Sequence, residues 1–248
     1  MRKFVKATLT LALLFLPFGM ASAGGIDDAN AAVKAARDGK YEDAIQLFTS
    51  AINSDELNLA GRAQAYAYRG IAKATISDYD GAAEDLNFSV ALDSPYNADA
   101  YAFRGYIGLV TGGDAAKAAA DLAKSASLKV WGYNALWLSL ARMRAHVPDT
   151  DNVSLANNAG KLMDQWPMPV IKFLLGQVNV DQVRMAANEG DPARLNERVC
   201  DADFYVAEYN LAHGDASGAK PLLDHATQVC PFASFERMGA AAELMRLK

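Results

Sequence analysis

Histidine and cysteine are scarce in this chain, with three and two copies among 248 residues. His146, His213 and His225 fall at no spacing that sets two imidazoles on one helix face, so the residues carry no metal-ligand signature. No glycine-rich phosphate loop follows a strand and no serine elbow is present. No alternating apolar–polar run is long enough for a sheet. Basic residues are in deficit, 24 against 29 acidic ones, which disfavours nucleic acid and anionic membrane surfaces as partners. Beyond residue 23 no stretch is long and apolar enough to cross a bilayer. What remains is an all-α reading with little support for catalysis.

The first 23 residues read as a cleavable export signal. Arg2, Lys3 and Lys6 give a positive start, and residues 7–20 are apolar apart from Thr8, Thr10 and the helix-ending Pro17. Ala21-Ser22-Ala23 is a small-x-small cleavage site. The apolar run falls short of the roughly 20 residues of a membrane span. A lipid anchor needs a cysteine at the cleavage point, and the cysteines are Cys200 and Cys230. The mature chain is expected to begin near Gly24, in the periplasm, with secretion as the alternative. Losing three basic residues leaves 21 against 29 acidic, a net charge of −8.

One phrase occurs twice. Ala63-Gln64-Ala65-Tyr66-Ala67-Tyr68-Arg69-Gly70 returns 35 residues later as Ala98-Asp99-Ala100-Tyr101-Ala102-Phe103-Arg104-Gly105. A period near 34 with this spelling signals stacked helix-turn-helix units that bind other chains. Turns at Gly39-Lys40-Tyr41, Ser77-Asp78-Tyr79 and Gly113-Asp114-Ala115 are each followed by a small, a large apolar and a small residue. These are Ala44, Phe48 and Ala51, then Ala82, Leu86 and Ser89, then Ala118, Leu122 and Ser125. Three such units fill residues 24–130. Residues 131–190 fit no repeat and read as an irregular helical connector, with helices over 131–144, 153–166, 170–175 and 180–187. Residues 191–248 restore the pattern. A helix starts from Asp191-Pro192, the turn is Gly214-Asp215-Ala216, and Ala219, Leu223 and Ala226 follow. A closing helix over 232–247 then covers the last apolar face.

Cys200 and Cys230 lie 15 residues on either side of Asp215. Equal distances from a turn put them at one level of an antiparallel helix pair, which predicts a disulfide in an exported protein. Arg69 and Asp85 are 16 residues apart, Arg104 and Asp121 17, matching the extra turn residue of the third unit. Both pairs are expected to be ion pairs within their repeats. Tyr66, Tyr101, Trp131 and Trp137 are assigned to the core. Tyr68, Phe103 and Tyr106 lie on other faces of the first helices. They are candidates for lining an inner groove, with Gln64 and Asp99 fixing register, or for packing between repeats.

The repeats resemble tetratricopeptide (TPR) units, in the variety spelled Arg-Gly on the first helix and Asp-Leu on the second. The second half is similar to NlpI-type TPR proteins of the Gram-negative envelope. The letters that match are Trp137-Leu138-Ser139-Leu140-Ala141, Gln165-Trp166, 170–176, Asp203-Phe204-Tyr205, Gly214-Asp215, Glu236 and Ala242-Glu243-Leu244. The resemblance implies a helical adaptor without catalytic residues or cofactor. Such adaptors can dimerise, and they bring envelope proteases or peptidoglycan hydrolases to their substrates. Those relatives are lipoproteins, and this chain lacks the lipid-bearing cysteine. Two other readings stand beside the adaptor: a structural, dimerising spacer of the envelope, and an enzyme or metal protein using Cys200 or the histidines.

Overall fold

At the four repeat turns the chain leaves one helix and enters the next through the same backbone device. Gly39, Ser77, Gly112 and Gly214 stand at φ of 76°, 67°, 76° and 79°. After each, the next amide donates back across the helix end: Lys40 to the Ala35 carbonyl, Asp78 to Lys73, Gly113 to Gly108 and Asp215 to Asn210, at 2.7–2.9 Å. This left-handed stop satisfies carbonyls the helix would otherwise strand. The following helix is then capped by a carboxylate. Asp78 accepts from the Gly81 N–H, Asp114 from Ala116 and Lys117, and Asp215 from Gly218. The first turn has Lys40 in that place and no side-chain cap. The sequence puts the third turn on Gly113, whereas the left-handed residue is Gly112 and Gly113 is the extra one. Ser77 alone among the four carries a side chain in the left-handed region. Ser77→Gly is therefore expected to stabilise by about 0.5–1 kcal/mol, the left-handed strain relieved less the added freedom of the unfolded chain. A thermal midpoint that stays put or falls would contradict this.

The computed structural model describes residues 24–92, 97–129, 132–146, 155–156 and 165–248. The export signal, Trp131, the loop near Pro148 and most of the helix expected over 153–166 lie outside them. The described elements are α1 (Gly25–Arg37), α2 (Tyr41–Asn53), α3 (Leu59–Thr75), α4 (Tyr79–Ala91), α5 (Ala98–Val110), α6 (Ala115–Leu128), α7 (Gly132–Arg144), α8 (Met168–Leu174), α9 (Val180–Asn188), α10 (Leu195–Ala212), α11 (Ala216–Val229) and α12 (Phe235–Arg246). There is no strand among the described residues. The fold is all-α and built of TPR-type helix pairs. A 3-10 turn, Pro192–Arg194, precedes α10. The closing helix begins three residues later than its apolar pattern suggests, because the Ser234 hydroxyl accepts the Arg237 N–H and sets the cap there.

Two compact units form, one up to Ala100 and the other from Tyr101 onward. In the first, α1 pairs with α2 and α3 with α4; in the second, α10 pairs with α11 and α12 packs on both. The small-large-small positions of α2, α4, α6 and α11 are all buried. Leu86 and Leu122 each sit against a glycine of the preceding helix, Gly70 and Gly105. A Cβ on Gly105 would lie 2.7 Å from Leu122 Cγ and 3.1 Å from the Ala118 carbonyl, so only glycine allows that approach. Burying a side chain such as Leu86 or Leu122 is worth roughly 1.5–3 kcal/mol.

Candidate functional site

The residues expected to line an inner groove are mostly inside. Tyr68 is 5% exposed. Its ring centroid lies 6.1 Å from that of Phe48, and its hydroxyl accepts from Gln64 Nε2 at 2.9 Å. Burial lifts that phenol to about 12. Phe103 and Tyr106 are 2% and 1% exposed. They join an aromatic cluster in which Phe235 lies 5.2 Å from Phe103 and 5.0 Å from Tyr106, with Trp137 also 5.0 Å from Tyr106. Of the two roles open to Tyr68, Phe103 and Tyr106, groove lining and packing between helices, their burial favours packing. Gln64 and Asp99 are half-buried. For α5 the cause is α12: the last helix lies across the face that an open array of repeats would leave bare. Arg246 Nη2 donates to the Leu109 and Val110 carbonyls at 3.1 and 3.0 Å, closing α5 from 136 residues or more away.

Of the core aromatics, Trp137 is buried. Tyr66 and Tyr101 are half-buried, each under the guanidinium of its own repeat's arginine, at 5.4 and 5.7 Å. Tyr66 stacks on Phe88, centroids 5.4 Å apart, and Phe88 is 50% exposed. This is the aromatic surface that the first unit offers to solvent.

The second unit holds a pocket of about 310 Å³ lined by Ser139, Met143, Leu174, Leu175, Gly176, Tyr209 and His213. Its walls are the C-terminal ends of α7, α8 and α10. Phe173 packs on Tyr209 at 4.9 Å, and the Tyr209 ring stacks on His213 at 4.0 Å. His213 Nδ1 lies 2.7 Å from the Tyr209 carbonyl. The lining mixes Met143, Leu174 and Leu175 with Ser139, Tyr209 and His213, and three helix C-termini favour a cationic end on an entering side chain. Nothing in the sequence signals the pocket, since its walls come from three separated segments.

The arginine pairs are bidentate. Arg69 donates from Nε and Nη2 to Asp85 at 2.8 and 2.7 Å, and Lys73 adds a third contact at 2.9 Å. Arg104 grips Asp121 with two bonds of 2.7 Å. Arg69 also donates to the Thr49 hydroxyl at 3.0 Å, tying α3 to α2. Cys200 and Cys230 form a disulfide with Cα atoms 4.7 Å apart. That is closer than helix axes pack, and it is reached because Cys230 stands just past the end of α11 on extended backbone. His225 Nδ1 lies 2.6 Å from Asp203. Among the described residues no group of three or more His, Cys, Asp or Glu is placed to hold a metal.

Sequence reasoning missed a buried acidic centre. Asp201 Oδ2 accepts from the Trp166 indole at 2.7 Å and the Tyr133 hydroxyl at 2.8 Å. Glu236 Oε1 accepts from the Trp137 indole at 3.2 Å and the Tyr205 hydroxyl at 3.1 Å. Burial first, then the charge of Glu236, pushes Asp201 well above the usual carboxylate range; burial pushes Glu236 up too. The native chain therefore keeps protons that the unfolded chain loses above about pH 4. That stability is present at acid pH and drains away as pH rises through the folded values. The thermal midpoint should fall between pH 5 and 8, and Asp201→Asn should flatten the slope. A wild-type midpoint that rises over this interval would contradict the assignment.

No family model matches the chain. Over 200 residues it is 27% identical to a Haemophilus influenzae protein described as "Lipoprotein NlpI homolog", a match covering 75% of this chain and 60% of the relative. The chain thus spans about three fifths of the length of the curated relative it matches. Its repeated helix pairs and this similarity agree: the chain resembles TPR-type proteins of the NlpI kind.

Proposed function

We propose that the chain is a non-catalytic adaptor of the bacterial cell envelope, working in the periplasm and holding protein or peptide partners on its helical repeats. The observation that carries this is the repeat itself. Helix pairs with one shared turn design present shaped surface, and both cysteines are committed to a disulfide. A disulfide fits an oxidising compartment, and the relative's description as a lipoprotein fits the envelope. Gly24 follows the small-x-small site where a lipoprotein would have cysteine, so we place the mature chain free in the periplasm. We take the partners to be envelope proteases or peptidoglycan hydrolases, seated at the pocket between α7, α8 and α10.

The test is affinity purification from periplasmic extract with wild type and with Leu175→Arg, which puts a long cation at the pocket wall. Wild type should recover an envelope protease or peptidoglycan hydrolase that the variant, with unchanged helical circular dichroism, does not. Recovery of no such enzyme by wild type contradicts the adaptor; equal recovery by both contradicts the pocket.

A further inference from the structure

We propose that the chain is cut between Ala23 and Gly24 and that the amino group released there is captured by the Glu56 carboxylate. The proposal rests on the export reading above and adds what becomes of the new terminus. Gly24 stands at φ 137°, a conformation side chains avoid. A Cβ there would lie 2.7 and 2.9 Å from the two Glu56 carboxylate oxygens. The next residue is as confined: a Cβ on Gly25 would lie 1.8 Å from Ser54 Oγ. A side chain at Gly25 has no room, and one at Gly24 would displace the Glu56 carboxylate; both positions face the connection between α2 and α3.

Glu56 already serves this end of α1. Its Oε2 accepts the Gly25 N–H at 2.7 Å, one of the amides that a helix start leaves without a partner. The Gly24 carbonyl accepts the Asp28 N–H at 2.9 Å, so Gly24 is the first residue that the helix uses. Its nitrogen is one bond from the Cα whose added Cβ would meet the carboxylate. A leader-removing protease of the export route supplies the cut. Water adds across the Ala23–Gly24 amide, the C–N bond breaks, Ala23 leaves as a carboxylate, and the Gly24 nitrogen takes up a proton. A positive charge at a helix N-terminus opposes the helix dipole. A carboxylate already in place offsets it, so the mature chain gains an ion pair that the precursor lacks.

Two measurements test this on the whole protein. The full chain is exported in a Gram-negative host, recovered from the periplasm and weighed intact. The expected mass is that of residues 24–248; any other starting residue overturns the proposal. Thermal midpoints are then compared for Glu56→Gln in the mature chain and in a chain with one extra alanine ahead of Gly24, which moves the amine away. Glu56→Gln should lower the midpoint by about 1–3 °C more in the mature chain at pH 7, the scale of one exposed ion pair. The pair raises the amine's pKa above its usual value near 8, so the difference should vanish at pH 10. Equal losses in both chains at pH 7 overturn the capture. Neither readout depends on the adaptor's partner.

Discussion

Arg144→Ala is expected to cost about 3–5 kcal/mol of unfolding free energy, the scale of breaking a buried ion pair from one side. Arg144 Nη2 lies 2.6 Å from Glu208 and 2.6 Å from Glu243, and its Nη1 donates to the Leu109 carbonyl at 3.2 Å. One guanidinium therefore joins α7, α10, α12 and the end of α5. Glu208 is 3% exposed. Burial pushes its carboxyl up, while Arg144 pulls it down. Without the arginine, Glu208 must be buried as an uncompensated charge or take a proton. Arg246, hydrogen-bonded to Glu243 and to the α5 carbonyls, cannot replace it at Glu208 without giving up those bonds. Arg144→Lys should recover only part of the loss, because a point charge does not reproduce the planar fork. Urea unfolding measures this; a loss under 1 kcal/mol for the alanine variant would contradict the hub.

Removing the Cys200–Cys230 disulfide should cost about 3–4 kcal/mol, from the loop entropy returned to the unfolded chain. The bond closes a loop of sequence separation 30 that holds most of α10, the Gly214 turn and all of α11. Cys200→Ala with Cys230→Ala should have a urea midpoint at or slightly below that of the reduced wild type. Both side chains are buried, so the double variant also loses some packing. A double variant as stable as the oxidised wild type would show that the bond carries no stability. Thiol counting gives an independent check, with none free before reduction and two after.

The elements the sequence showed best are those fixed by local chemistry. Ala82, Leu86 and Ser89 could be read off α4 because a close-packed helix pair needs small, large and small residues at those steps, and all three are buried. The Arg69–Asp85 and Arg104–Asp121 spacings were visible for the same reason: a shared turn fixes the distance around it. Tyr68, Phe103 and Tyr106 stayed open between groove and packing because their burial depends on tertiary neighbours. Nothing near Phe103 in sequence announces that Phe235 will lie on it. Asp201 and Glu236 were hidden likewise. A carboxylate in an apolar helix looks misplaced until Tyr133, Trp166, Trp137 and Tyr205 arrive from other elements to hydrogen-bond it. The pocket at His213 joins three segments with no local spelling in common.

The central proposal is that this all-helical repeat protein binds another protein at the ends of α7, α8 and α10. Hydrogen exchange, read by mass spectrometry with and without the recovered envelope hydrolase or protease, addresses it most directly. Slower exchange on binding is predicted around residues 139–146, 173–177 and 209–214. Protection confined to the first helices around 64–69 and 99–106, or no protection anywhere, would contradict it.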